Sequence, residues 1–379
     1  MFKRRKIIYI IFTVILSVVS YDYINTLNEL SRMRFGDLLE NAYETKWVSI
    51  EPQYTKYFYQ TEKAKTIGDN IVLFQSECGG WGKDINYDRE NDFWDKIYIN
   101  RIKLKTIHPT IDNSATTTEI DYLAKLYKVT SNNKYKTSAI KGVQYLLDIQ
   151  MNNGGFPQKY PIITDGYQKN VTYNDRAMIN VLSLFKNILK NNENQYGFVE
   201  QSMKNRLQIS IEKGIDCILK TQLDIGIWSA QYDEQTLQPA PARIYEPIAA
   251  DTRESADIVL FLMDINSPDK RIVSAIKKAV GWFEQNLIND KVVMWYVRDD
   301  GQKDLKITEG HGENMWGRFY DIKTQKIIFS DKTGQIFENF DNIKYERRLG
   351  YEWFSFKGNK VLKRYQEWLN SLPDELKNL

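Results

Sequence analysis

QSECGGW at residues 75–81, QMNNGGF at 150–156 and QLDIGIW at 222–228 are three versions of one turn. Each begins with Gln and reaches an aromatic six places later. Glycine stands just ahead of the aromatic, as Gly79-Gly80, Gly154-Gly155 and Gly226. Gln75 and Gln150 are 75 residues apart, Gln150 and Gln222 are 72 apart. Periodicity on that scale means one supersecondary unit used several times.

The segments between the turns repeat as well. Ile120, Leu123, Ala124 and Tyr127 stand at i, i+3, i+4 and i+7, and Met178, Val181, Leu182 and Phe185 copy that spacing, as do Ala256, Val259, Leu260 and Met263. This is one apolar stripe of an amphipathic helix, written three times. A second set precedes the next turn, marked by Ala139, Val143 and Leu146, by Leu207, Ile211 and Ile218, and by Ile272, Ala275 and Ala279. The pattern predicts an all-α chain, an α/α toroid of about three helix pairs with long loops and few short strands. Val292 to Val297 is the best strand among them. A helical solenoid is the alternative, though its loops would be shorter and more uniform. The tail from Ser371 onward reads as solvated.

Composition narrows the class. Of 379 residues, 42 % are apolar, enough for a large core. With 52 basic and 49 acidic side chains the net charge is only +3, which lacks the dense basic face of a nucleic-acid binder. His108 and His311 cannot supply a His-based zinc site, and Cys78 and Cys217 lack metal spacing and are expected as free or buried thiols. Residues 1–20 read as an export signal. Lys3, Arg4, Arg5 and Lys6 precede an apolar run from Ile7 to Val19, which is shorter than the ~20 residues of a membrane span. Val18 and Ser20 suit cleavage before Tyr21 and leave 21–379 as a single domain, periplasmic or extracellular. An uncleaved anchor is the alternative.

The chemistry-bearing segments sit in the loops, where sites are usually built. They are GGWGKD at 79–84, TIDNSATTTE at 110–119, GGFPQKYP at 154–161, TYNDRAM at 172–178, WSAQYDEQTLQPAPARIYE at 228–246 and WGRFYD at 316–321. Asp112-Asn113 and Asn174-Asp175 each precede a helix. They read either as helix caps or as carboxylates at matching helix ends that share a hard, oxygen-preferring cation. Arg243 follows an approach stiffened by Pro239, Ala240, Pro241 and Ala242, and an ion pair with Glu246 is its alternative role. Lys83, Arg318 and Lys332 suit carboxylate ligands, Arg through a bidentate fork and Lys as a point charge. Trp81 and Trp228 are either core or cleft-lining residues.

Together the six segments resemble the pectate lyases of polysaccharide lyase family 10, in the family's order. The resemblance implies calcium-assisted β-elimination of α-1,4-polygalacturonate that yields 4,5-unsaturated oligogalacturonides. It implies Arg243 as the base, Asp112 and Asp175 as ligands of Ca2+, and Lys83, Trp81, Trp228, Arg318 and Lys332 as substrate-binding residues. The expected partner is polygalacturonate, met by a monomer without nucleic acid or lasting membrane contact. Four positions depart from the family pattern: Gly82 where Pro is frequent, Arg176 for a second acid, Tyr232 for His and Lys332 for Arg. Arg176 puts metal affinity in question. Two other readings remain: an inactive pectin-binding protein, or a glycoside hydrolase using a carboxylate pair such as Glu119 and Asp233.

Overall fold

Six helices stand in two layers and form the body of the described chain. The computed structural model describes residues 57–88, 95, 97, 99–101, 108–161, 166–191 and 194–378. The export-signal reading of residues 1–20 lies outside them. The chain divides into two compact units, Met1–Pro52 with Asp84–Asn86, and Gln53–Lys83 with Tyr87–Leu379. All elements named here belong to the second.

Helix α1 (Glu62–Leu73) precedes three pairs: α2 (Thr117–Thr130) with α3 (Asn133–Asp148), α4 (Ala177–Lys190) with α5 (Gln201–Lys220), and α6 (Thr252–Met263) with α7 (Lys270–Gln285). Helices α2, α4 and α6 pack side by side in one layer, and α3, α5 and α7 lie behind them in a second. Of the first-layer stripes read from the sequence, only Tyr127 is not buried. In α6 every residue but Arg253 is buried. Helix α8 (Tyr345–Leu349) is short, α9 (Lys357–Ser371) closes against α6 and α7, and α10 (Asp374–Lys377) ends the fold. The tail is therefore docked rather than solvated: Leu372 and Leu376 are buried, and Lys277 Nζ donates to the Lys377 carbonyl at 2.7 Å.

The repeated turn is a brace between neighbouring units. Gln75 Nε2 donates to the Gly79 carbonyl at 2.7 Å and to Ser138, in α3, at 2.9 Å. Gln150 does the same to Gly154 and Ser210, both at 2.9 Å. Gln222 bonds Gly226 at 2.6 Å and Ala275 at 2.9 Å. The glycine is forced. At Gly154, φ is 89° and a Cβ would lie 2.1 Å from the Lys213 carbonyl oxygen; at Gly79 the values are 111° and 2.3 Å, against Lys141. The aromatic plugs the unit from within. Trp81 and Trp228 donate Nε1 to the carbonyls of Ile71 and Ile218, at 2.7 and 2.8 Å.

A fourth copy is present. Trp316 Nε1 donates to the Phe283 carbonyl at 2.9 Å, at the end of α7. The sequence hides this copy because a hairpin intervenes and breaks the spacing. In chain order the strands are β1 (Val171–Thr172), β2 (Gln231–Tyr232), β3 (Ala250–Asp251), β4 (Lys291–Val297), β5 (Lys303–Glu309), β6 (Trp316–Gly317), β7 (Phe319–Tyr320), β8 (Ile327–Ser330), β9 (Ile336–Phe337) and β10 (Phe354–Ser355). Strands β4 and β5 form the hairpin, β1 pairs with β2, and β6 with β10. A four-stranded antiparallel sheet runs β3-β7-β8-β9. It shares a core of its own, including Phe319, Phe329, Phe340, Trp353 and Phe354. Of this β-rich region only β4 was legible, because a strand of two residues has no period to read.

Candidate active site

Lys83, Asp112, Asp175 and Arg318, four of the eight residues singled out in the sequence, meet where the first-layer helices begin. Asp112 lies on a 3₁₀ turn, Asp112–Ser114, and Asp175 on another, Asn174–Arg176; the two turns pack together. Left-handed backbone holds both, with φ of 49° at Asn113, 68° at Thr116, 51° at Asp175 and 62° at Arg176. Such residues persist only where their surroundings over-determine them, and they gather at functional sites. They also break the chain before each helix starts. Helix α2 begins after Thr116 and α4 after Arg176, neither with a side-chain cap. The capping reading of Asp112 and Asp175 is thereby excluded. The third turn does cap: Asp251 Oδ1 accepts the amides of Arg253 and Glu254 at 2.9 and 3.1 Å.

Each candidate ligand is balanced by a cation. Lys83 Nζ lies 2.9 Å from Asp112 Oδ2, and Arg253 Nη1 lies 2.9 Å from Asp175 Oδ1. Asn174 donates to the other oxygen of Asp175 at 2.6 Å. Burial opposes the charge on Asp175, but Arg253, Arg318 and Arg243 outweigh it and hold the carboxyl below its usual range. Among the described residues no three metal-ligating side chains come together. The candidate ligands are two carboxylates on adjoining turns. That donor set fits a hard cation whose remaining oxygens come from water and substrate.

Arg176 does not point a charge at this pair. Its guanidinium is engaged by Asp257 and, at 3.2 Å, by Asn180 Oδ1. Asn180 in turn donates to Ser114 Oγ at 3.0 Å and ties the two turns to each other. Arg318 is also committed. It is 4 % exposed, its Nε is 3.2 Å from Asp251 Oδ2, and Nη2 donates to Asn174 Oδ1 at 3.2 Å. Burial works against its charge, yet Asp251, Tyr351 and Glu254 keep it firmly protonated. Arg318 so placed holds the Asn174 turn and presents no free fork to a substrate. Trp81 and Trp228 are fully buried in the core and line no cleft. Tyr232 is likewise core, packed on Tyr173 and accepting the Ser229 amide at 2.7 Å.

The Arg243 loop closes the other side. Pro239 bridges to Tyr232, the Ala240 amide donates to the Gln231 carbonyl at 3.0 Å, and Glu246 N donates to Arg243 O at 2.7 Å. The ion pair left open by the sequence is present. Arg243 Nε and Nη2 reach the two oxygens of Glu246 at 2.9 and 2.5 Å. Glu246 is the main reason that the Arg243 pKa is raised. Half the Arg243 side chain remains exposed, while Glu246 is buried and accepts from the Tyr351 hydroxyl at 3.0 Å. Tyr167 feels the charges of both halves: burial raises its pKa, Arg243 and Lys83 oppose the rise, and Glu246 and Asp112 add to it. Lys332 stands exposed on the turn after β8, which the Ser330 hydroxyl fastens to the Tyr245 carbonyl.

Arg253, Tyr351 and Glu246 are the parts that sequence reasoning missed or undervalued. Aligning Asp251-Thr252-Arg253-Glu254 with Asn174-Asp175-Arg176 would have exposed Arg253 as a third helix-head residue. Tyr351 lies 105 residues from Glu246 and left no local signal. The hydrolase reading loses its acid pair. Glu119 is buried in the first turn of α2, whereas Asp233 caps a surface turn through Gln235 and Thr236.

Family and structural neighbours together make the chain a polysaccharide lyase. The chain belongs to the pectic acid lyase family, whose model matches residues 75–362. It is similar to a family 10 polysaccharide lyase from Cellvibrio cellulosa, at 27 % identity and a TM-score of 0.70 over 85 % of this chain and 94 % of that one. An aspartate-to-alanine mutant of such an enzyme from the same organism, in complex with trigalacturonic acid, is similar at 26 % identity and a TM-score of 0.70, covering 85 % and 95 %. No curated protein matches the chain.

Proposed function

We propose that the protein cleaves α-1,4-polygalacturonate by β-elimination with Arg243 as base, on an α/α toroid built from the helix pairs. The observation that carries this is the extent of the family match. Residues 75–362 include every site residue named above, from Lys83 to Lys332, and a similar enzyme binds trigalacturonic acid.

Arg243 takes the proton from C5 of a galacturonate, the electron pair forms the C4–C5 double bond, and the bond from C4 to the glycosidic oxygen breaks. The departing oxygen collects a proton from solvent, and no water adds to the sugar. The C5 proton is weakly acidic because the neighbouring carboxylate resists further charge. Lys83 and Lys332 oppose that charge from the two rims. Asp112 and Asp175 would hold a calcium ion, which would supply positive charge against the carboxylate of the sugar. A guanidinium gives up its proton only far into the alkaline range, so the neutral base is scarce and the reaction is fastest at alkaline pH. The export signal directs the enzyme to polymer outside the cytoplasm.

The test is an assay on polygalacturonate with calcium, then with chelator, following ultraviolet absorbance of the unsaturated product. Asp112→Ala and Asp175→Ala are expected to abolish the calcium response in activity and in direct calcium titration, with helical circular dichroism unchanged. Product without ultraviolet absorbance would point to hydrolysis and end this reading.

A further inference from the structure

Arg347 has no task in the chemistry above, and its surroundings are unusual. It stands on α8, 7 % exposed, with Nε and Nη2 buried and without a hydrogen-bond partner. What faces it is aromatic: its guanidinium carbon lies 3.7 Å from the centre of the Tyr245 ring and 4.3 Å from that of Tyr351. Cation–π attraction offsets part of the cost of such burial, but no carboxylate is bonded to the group. The same two rings serve Arg243. Tyr245 also lies under the Arg243 guanidinium, at 4.9 Å, and the Tyr351 hydroxyl bonds to Glu246, the carboxylate that holds Arg243. Glu246 thus has one guanidinium bonded to it and a second, unpaired, one ring away.

That arrangement bears on a difficulty in the arginine-base reading, on which this inference rests. Arg243 bonded to Glu246 through Nε and Nη2 is a poor base, because those bonds hold its proton. To meet C5 it must leave the pair, and Glu246, 6 % exposed, would then be a buried charge without a counterion. Removing one partner of a buried ion pair is strongly unfavourable. We propose that Arg347 is a positioning residue that receives Glu246 when Arg243 turns to the substrate. Tyr245 and Tyr351 keep Arg347 unpaired in the resting enzyme. Substrate binding exchanges the Arg243–Glu246 pair for an Arg347–Glu246 pair, with no net change in buried charge. Arg243 is released from the carboxylate that had held its proton.

A double-mutant cycle on the full chain tests this, with kcat and KM on polygalacturonate and a thermal midpoint for every variant. Arg347→Met keeps the bulk and removes the charge. It is expected to lower kcat about tenfold or more with KM little changed, yet only about twofold in a Glu246→Gln background, where no carboxylate needs a new partner. Equal losses in both backgrounds would make Arg347 a packing residue and overturn the proposal. If Arg347→Met does not fold, Arg347→Lys and Arg347→Gln carry the comparison. Activity kept by Lys and lost by Gln supports the exchange, and equal loss in both defeats it. Arg243→Ala assayed alongside separates the two ideas. Near-normal kcat there removes the base reading and the exchange with it, whereas a failed Arg347 cycle removes the exchange alone.

Discussion

The glutamine braces and the helix heads alternate along the chain, and they differ in what repeats. Gln75, Gln150 and Gln222 make the same two bonds, to the carbonyl four residues on and to the next second-layer helix. The heads of α2, α4 and α6 diverge. The first pairs Asp112 with Lys83, the second pairs Asp175 with Arg253, and the third spends Asp251 on its own helix cap and on Arg318. A brace ties two backbone carbonyls together, and that pair of bonds recurs in every unit. On the function proposed above, a head faces a ligand that the units share between them, so each contributes a different charge. Changes at the heads should therefore act on catalysis at constant stability, and changes at the braces the reverse.

The sharpest way to break this distinction is at Arg243. Arg243→Ala is expected to lower kcat by about 10²–10⁴-fold, the usual weight of a positioned base, while KM moves little because the lost interaction belongs to the transition state. The thermal midpoint should fall only modestly, since the Arg243 side chain is 45 % exposed and Arg347, one ring away, is placed to take over the buried Glu246. A large fall in midpoint with kcat per folded molecule intact would place Arg243 among the structural parts.

Glu119 tests the other direction, because a buried carboxylate close behind the first head invites a catalytic reading. Desolvation pushes its pKa up to about 7 from 4.5, although Tyr87 and backbone bonds oppose the shift. The native state then keeps a proton that the unfolded chain releases, so stability falls as pH rises through that interval and stays lower above it. At pH 9 the deficit is about 3 kcal/mol. Glu119→Gln should raise the thermal midpoint at pH 9, lose that advantage near pH 4, and leave kcat per folded molecule unchanged. A midpoint difference independent of pH would show that Glu119 is not protonated in the fold.

At the braces, Gln150→Ala leaves the carbonyls of Gly154 and Ser210 without their donor. The expected loss is about 1–3 kcal/mol of stability, the penalty of an unmet buried polar group, again at unchanged kcat. Gln222→Ala should match it, and Gln75→Ala should cost somewhat more, because Gln75 Oε1 also accepts the Ser138 hydroxyl at 2.7 Å. A brace variant that lost activity at full stability would mean that the repeat reaches into the site.

The braces were also the legible part of the fold. Glutamine, a left-handed glycine and a buried aromatic are each set by local geometry, so they recur at fixed spacing and show in a single sequence. The fourth aromatic, Trp316, did not, because the β4–β5 hairpin displaces it. The site was legible only where its residues lie on one segment, as in Asp112-Asn113, Asn174-Asp175 and the Arg243 loop. Its pairings were not. Arg253 meets Asp175 across 78 residues and Tyr351 meets Glu246 across 105, and distances of that kind come from layer packing alone. Trp81, Trp228 and Arg318 show the converse. Their motifs are specific, but the fold spends the tryptophans on the core and the arginine on Asp251 and Asn174.

The smallest expected effect is at Lys332, which refines the comparison by asking whether a rim residue outside the helix heads still touches substrate. Lys332 is exposed between Asp331 and Thr333, whose side chains fix the turn: Asp331 accepts from the Thr333 amide at 2.8 Å. Gly334 on the same turn lies against Ile244, next to Arg243, so the lysine is carried to the edge of the base loop by β8 and β9. An ammonium there attracts a carboxylate as a point charge, whereas a guanidinium would offer two parallel donors. Lys332→Arg should therefore lower KM, by about threefold or less given the exposure of the site, with kcat and the thermal midpoint unchanged. Lys332→Met should raise KM by a similar factor, and added salt should erase the difference between the three proteins. A clear rise in KM on Lys332→Arg would mean that the turn is shaped for an ammonium. No change in either variant would place Lys332 beyond the reach of the polymer and confine recognition to the helix heads and the Arg243 loop.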